Sequence, residues 1–268
     1  MVERVRRWPG HALALFALVT ASPADAADRW PQLAYQPVAL GWSAAEVERA
    51  TTGNIAPIVQ RAQRDGQLGC RQSCERLPRV FERLVALARQ QTPRASELAW
   101  SITVVRTPGV EAMALPGGQV LVSEAFVQAS APDEETLAFV LAHEMAHSIL
   151  EHERQTLHFA RMLLPGNVPR SVADMYAEID YNFALLKSLE PVLQQGEFEA
   201  DELGLLLASA AGFDPRRQLA FAEREASRAD RPEPLVRTHP PARQRLERLQ
   251  QRLPLALRLF DAADPAPR

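Results

Sequence analysis

The residues of this 268-residue chain that are best suited to do chemistry form the sequence HEMAH at positions 143–147. The apolar run before them predicts a helix, in which residues four apart lie on one face with Cβ atoms roughly 5–6 Å apart. His143 and His147 could then bind one Zn²⁺, while Glu144 acts as a base on water at the metal. Because HExxH also occurs by chance in unrelated helices, the motif needs support from the rest of the chain.

A catalytic zinc ion requires a third protein ligand, with the fourth position left to water. The extended metzincin pattern would place Gly at position 150 and His at position 153, where this chain has Leu and Glu, so that class is excluded. Glu197 and Asp201 are four residues apart at the predicted start of a later helix. We predict that Glu197 binds zinc and that Asp201 accepts the free ring N–H of His143. The alternative is that this acidic cluster only complements the helix dipole.

Three nearby polar residues are predicted to lie outside the metal site. Glu199 projects to another side of its helix and fits the helix-dipole alternative. The motif helix is expected to continue to Arg154 or beyond. On such a helix His152 and His158 do not share the metal-binding face, so we predict that they are surface or packing residues.

A small β-sheet is predicted beside the motif helix. Residues 100–106 alternate and are β-branched, and residues 119–122 form a second strand. Between them, Gly117 and Gly118 permit close backbone approaches that a side chain would block. These glycines indicate an ordinary hairpin bend or, as we predict, a strand edge to which an extended peptide substrate adds by main-chain hydrogen bonds.

The N-terminus has the pattern of a secretory signal peptide. Basic residues precede a short apolar stretch at positions 12–19, and small residues end at Ala26. The stretch is much shorter than the ~20 residues that span a bilayer, so we expect cleavage and a soluble periplasmic protein, with an uncleaved anchor as the alternative. In that oxidising compartment Cys70 and Cys74 are candidates for one disulfide, although free or intermolecular thiols are the alternative.

Composition limits the remaining possibilities. With 47% hydrophobic residues and a net charge of −3, the chain can form one folded domain and lacks the basic surface of a nucleic-acid-binding protein. The predicted organisation is a signal peptide at 1–26, an N-terminal helical region at 27–94, the catalytic domain at 95–252 and a C-terminal tail at 253–268.

Four motifs together carry a family resemblance. HEMAH at 143–147, EFEAD at 197–201 followed by Gly204, ALPGG at 114–118 and THPP at 238–241 resemble family 48 of the metallopeptidases, in the gluzincin group. The chain is similar to the short, soluble periplasmic members. The resemblance implies an α+β fold that is mostly helical and zincin-like, with a small β-sheet beside the HExxH helix. It also implies one Zn²⁺ per subunit.

The resemblance further implies a role for His239 near the C-terminus, and Arg243 is a further candidate beside it. His239 would approach the zinc, either as an inhibitory extra ligand or facing the oxyanion, whereas without the resemblance it is a plain loop residue. Arg243, one turn on, would pair with Asp201 or else be surface charge.

The activity implied is that of a zinc metalloendopeptidase acting on exported or misfolded envelope proteins in protein quality control. The alternative is a latent or chaperone-like assembly factor of the envelope with little proteolysis. The expected partners are unfolded or envelope polypeptides and no nucleic acid. Peripheral membrane association stays open, and the sequence predicts no oligomeric state.

Overall fold

The structure, a computed structural model, describes residues 41–72, 74–106, 112–130, 133–166, 168–227, 236 and 238–263. The predicted signal peptide lies outside the described residues. Among the residues described, no helix combines the length and apolarity needed to cross a bilayer.

Helices dominate the fold and flank one small sheet, which confirms the predicted α+β class. In chain order the elements are α1 (Ala44–Arg64), α2 (Arg76–Gln91), α3 (Pro93–Glu97), β1 (Ser101–Val105), β2 (Ala112–Leu115), β3 (Gln119–Ser123), α4 (Glu124–Ser130), α5 (Glu134–Ile149), α6 (His152–Leu163), α7 (Val172–Tyr181), α8 (Phe183–Ala210), α9 (Pro215–Ser227) and α10 (Ala242–Ala263).

The three strands have the order β1-β3-β2, so β2 lies at an edge of the sheet. β1 pairs with β3 in parallel, and β2 pairs with β3 antiparallel, with Leu115 opposite Gln119. The turn between β2 and β3 contains Gly117 and Gly118 at φ 92° and 90°, a region that residues with a Cβ rarely adopt. The two glycines therefore let β2 fold back on β3 next to α5.

Helix α5, which carries the HEMAH motif, is nearly enclosed by its neighbours. The Asp133 side chain caps its start by accepting a hydrogen bond from the Thr136 N–H at 2.7 Å. The prediction that α5 continues to Arg154 is wrong, because Glu151 adopts left-handed backbone torsions (φ 55°) and α6 begins at the next residue. The Glu151 carboxylate is held at this turn by Arg94 and Arg154, at 3.2 and 3.0 Å.

Helix α8 is longer than predicted. It begins at Phe183, where the Asn182 side chain accepts from the Leu185 N–H at 3.1 Å, and runs unbroken past Gly196, which faces the His152 ring. Glu197 and Glu199 therefore lie in the middle of the helix. The helix-dipole alternative for this acidic cluster, which Glu199 was predicted to fit, is therefore wrong.

The close approach of α8 to α5 depends on a second glycine. A Cβ at position 204 would lie 2.8 Å from the His143 backbone nitrogen and 3.0 Å from its Cα, well inside van der Waals contact. Gly204 therefore brings the two helices together one to two turns from Glu197 and Asp201.

Two regions outside the central helices bear on the predictions. Cys70 and Cys74 form a disulfide in the loop before α2 rather than within a helix. The Glu124 carboxylate accepts hydrogen bonds from two backbone N–H groups of this loop, each at 2.6 Å. At the other end of the chain, α10 passes through residue 253, where a tail was predicted to begin, and ends at Ala263.

Candidate active site

Two histidines of α5 and one carboxylate of α8 converge on a single point. The Nε2 atoms of His143 and His147 are 3.2 Å apart. The Glu197 oxygens lie 3.6 Å from the His143 Nε2 and 3.5 Å from the His147 Nε2. Ligand atoms around a tetrahedral zinc, bound at about 2.0–2.1 Å, are separated by about 3.4 Å. The three side chains therefore have the spacing that one zinc ion requires.

The polar atoms at this point also need a cation. Glu197 Oε2 is buried and makes no hydrogen bond among the residues described, with the Arg245 Nη1 3.6 Å away and thus beyond hydrogen-bond distance, which is costly for a carboxylate oxygen. Burial and the neighbouring His143 imidazole hold the pKa of His147 well below its usual range, so that ring is neutral and can bind a metal. The donor set, two imidazole nitrogens and a carboxylate, suits zinc.

Asp201 orients the first of these histidines. Its Oδ1 lies 3.0 Å from the His143 Nδ1, and the side chain is only 1% exposed. Although burial raises the pKa of Asp201, its hydrogen bonds with Arg245 and His143 outweigh that effect and lower the pKa to about 2. The ionised carboxylate accepts the Nδ1–H of His143, which leaves the Nε2 lone pair for the metal.

The arginine that pairs with Asp201 is Arg245. Its Nε and Nη2 donate to the two Asp201 oxygens, each at 2.6 Å. The predicted partner, Arg243, is exposed on α10, so that prediction is wrong. Arg243 and Arg245 are two residues apart on α10, which begins at Ala242, so their side chains project about 200° apart around the helix. Arg245 therefore faces Asp201, whereas Arg243 faces solvent.

Glu144 lies beside the metal ligands and faces the cleft. Burial raises the pKa of its carboxyl group, as does the charge of Glu197, while His143 and a backbone hydrogen bond from Ala114 lower it in part. A carboxyl group whose pKa moves toward neutrality can both accept and return a proton.

The cleft that contains these residues has a volume of about 370 Å³. One wall is formed by β2 and the following turn, residues 112–117, so the sheet edge lies along the cleft beside Glu144. Gly117 lines this wall. Gly118 does not line it, and a Cβ there would press against Leu98 and Trp100 instead.

His239 lies at the mouth of the cleft, where it is 64% exposed. Its Nε2 is 3.6 Å from Glu197 Oε1, and its Nδ1 is 3.1 Å from the Thr238 hydroxyl. The structure thus brings His239 next to the metal-binding group, on its open side.

Sequence reasoning missed a pair of residues behind His147. His152 is buried (7% exposed), with its Nδ1 2.9 Å from the His147 Nδ1 and its Nε2 3.2 Å from Glu199 Oε2. His152 and Glu199 therefore lie directly behind a candidate metal ligand, although neither belongs to the metal-binding group itself. His147 and His152 are five residues apart, a spacing that does not place two side chains on one face of a continuous helix. The turn at Glu151 brings the His152 ring into contact with His147. His158 instead stacks edge-on with Phe159.

Comparison with known proteins places this geometry in a family. The model of peptidase family M48 matches residues 71–253. The mitochondrial metalloendopeptidase OMA1 of Schizosaccharomyces pombe is 32% identical over 185 residues, which cover 66% of this chain and 52% of that protein. The human metalloendopeptidase OMA1 is 31% identical over 195 residues, covering 66% and 37%. The beta-barrel assembly-enhancing protease of Escherichia coli is 27% identical over 157 residues, covering 53% and 32%.

The chain spans about half the length of the first of these relatives and less of the other two. The family match nevertheless covers well over half of this chain and includes all the residues of the zinc-binding group. It confirms the resemblance drawn from the four motifs: the chain belongs to peptidase family M48, a family of zinc metallopeptidases.

Proposed function

We propose that this zinc metalloendopeptidase binds its metal through His143, His147 and Glu197 and uses Glu144 as its general acid and base. The observation that carries the proposal is the convergence of three ligand side chains at zinc spacing, with their nearest ligand atoms 3.2–3.6 Å apart, beside a carboxyl group and an open sheet edge. No cluster of four Cys or His ligands accompanies them among the described residues, which argues against a purely structural zinc site.

The residues around the metal define the steps of the reaction. His143, His147 and Glu197 would hold a zinc ion, which would supply a Lewis acid for the scissile carbonyl and for the attacking water. Glu144 takes the proton of the attacking water and delivers it to the leaving amine. The exposed edge of β2 hydrogen-bonds an extended peptide along the cleft, so that its scissile carbonyl lies beside the water that Glu144 deprotonates.

His239 has two candidate roles in this scheme. From the open side of Glu197 it can donate a hydrogen bond to the oxyanion, or it can occupy the position that the substrate needs and keep the enzyme latent. The second role corresponds to a chaperone-like factor with little proteolysis. Casein cleavage by His239→Ala separates them: a rise supports latency, and a fall supports the oxyanion role.

The proposed substrates are unfolded or misfolded polypeptides of the cell envelope. The name of the E. coli relative refers to β-barrel assembly, whereas the OMA1 proteins are named as mitochondrial, so the compartment rests on this chain's own features. These are the signal-like residues 1–26 and the Cys70–Cys74 disulfide, which suits an oxidising compartment. N-terminal sequencing of the protein from a periplasmic fraction should begin at Ala27, the residue that follows the expected cleavage point. A sequence that begins at Met1 would refute cleavage.

The direct test of the catalytic assignment is Glu144→Gln. Because the amide cannot act as a base, turnover of casein should fall by about 10²–10⁴-fold, while zinc content stays at one ion per chain. Glu135→Gln is the matched control, since Glu135 is on the same helix and pairs with Arg217 away from the cleft. Proteolysis by Glu144→Gln at a rate near that of the wild type would refute the assignment.

A further inference from the structure

His152 occupies a position that the proposed reaction does not explain. It follows the left-handed residue Glu151, so the chain turns back and places the imidazole directly behind His147. The two rings meet edge to face with centroids 4.9 Å apart, and their Nδ1 atoms are 2.9 Å apart. We propose that His152 and Glu199 form a directed hydrogen-bond chain that positions the zinc ligand His147.

The direction of the chain follows from the metal-facing atom of His147. Its Nε2 is the atom that lies near the His143 Nε2 and Glu197. A neutral imidazole that binds a cation through Nε2 carries its one proton on Nδ1. That proton points to the His152 Nδ1, which must accept it and is therefore unprotonated.

The same reasoning fixes the second link. With Nδ1 acting as an acceptor, the proton of neutral His152 is on Nε2, which lies 3.2 Å from Glu199 Oε2. The carboxylate can only accept, so the chain runs from His147 through His152 to Glu199. Each histidine thus has a single tautomer, set by the carboxylate at the far end.

Helix α8 holds the residues of this hydrogen-bond chain in place. The Gln195 side chain donates to Glu199 Oε1 at 2.7 Å. At position 196 the absence of a side chain makes room for the ring, since a Cβ there would lie 3.3 Å from the His152 Cγ. The helix that carries Glu197 therefore also orients both histidines, His143 through Asp201 and His147 through His152.

The inference rests on the proposed ligand role of His147, and its test uses zinc affinity rather than turnover. His152→Phe keeps the ring but removes both nitrogens, and should weaken zinc binding by about 10–100-fold, measured by chelator competition. His152→Asn retains an acceptor near the position of Nδ1 and should recover most of that affinity. Glu199→Gln should fall between the wild type and His152→Phe. His158→Phe is the matched control, because His158 is on the same helix as His152 but takes no part in the hydrogen-bond chain. It should bind zinc like the wild type.

The visible absorption of the Co²⁺-substituted protein provides an independent readout, because it reports the geometry of the ligands. We expect it to change in His152→Phe and to return toward that of the wild type in His152→Asn. Wild-type zinc affinity and an unchanged cobalt spectrum in both His152→Phe and Glu199→Gln would overturn the inference. If His152→Phe does not fold, the zinc affinity and cobalt spectrum of Glu199→Gln decide on the same criteria. Normal zinc affinity in His147→Ala would instead refute the proposed ligand set itself.

Discussion

Replacing Gly204 with alanine tests whether α8 approaches α5 as closely as the zinc site requires. The new Cβ would lie 2.8 Å from the His143 backbone nitrogen, whereas ordinary contacts begin at 3.4 Å. The helices would therefore have to separate by about 0.6 Å to restore an ordinary contact. The new Cβ is bonded directly to the α8 backbone, and the His143 nitrogen and Cα belong to the α5 backbone. No side-chain rotation can therefore relieve the contact.

Gly204→Ala should lower the free energy of unfolding. In an unobstructed helix interior, Gly→Ala stabilises a protein by roughly 0.5–1 kcal/mol. Here overpacking should destabilise by about 1–3 kcal/mol, which lowers Tm by roughly 2–12 °C at about 2–4 °C per kcal/mol. Because a displacement of about 1 Å can cost ~10²-fold in rate, casein turnover should also fall.

The assay is thermal unfolding of Gly204→Ala followed by a zinc titration. Gly166→Ala is the matched control, since nothing lies within 4 Å of a Cβ at that position; its Tm and zinc affinity should remain those of the wild type. A higher Tm for Gly204→Ala, with unchanged zinc affinity, would refute the close approach of the two helices.

A further substitution probes the charges around the site. Arg245→Met leaves the buried Asp201 carboxylate without its cation and should cost about 3–5 kcal/mol, seen as a lower Tm and weaker zinc binding; Arg243→Met, on the exposed side of α10, should change neither.

The parts of the site that could be predicted from the sequence are those governed by local helical geometry. His143 and His147 share a face because they are four residues apart, and the same is true of Glu197 and Asp201. The prediction that α8 lies against α5 followed from the third protein ligand that a catalytic zinc ion requires. Local periodicity and metal chemistry together thus indicated the central residues.

The parts that could not be predicted depend on breaks between elements. His152 reaches His147 only because Glu151 turns the chain, and the ion pairs of Glu151 with Arg94 and Arg154 hold that turn, the first of them from a segment far away in sequence. Arg245, and not Arg243, pairs with Asp201, because the residue at which α10 begins determines which of its side chains face α8. Such contacts are set by tertiary packing, which spacing within one helix does not reveal.

The central claim is that Glu197 of α8 completes the zinc site begun by α5. Metal analysis of purified Glu197→Ala tests it most directly, with Glu202→Ala as the matched control on the same helix, where Glu202 pairs with Arg252 instead. The account predicts one zinc per chain in the wild type and in Glu202→Ala, and far less than one in Glu197→Ala. One tightly bound zinc per chain in Glu197→Ala would contradict it.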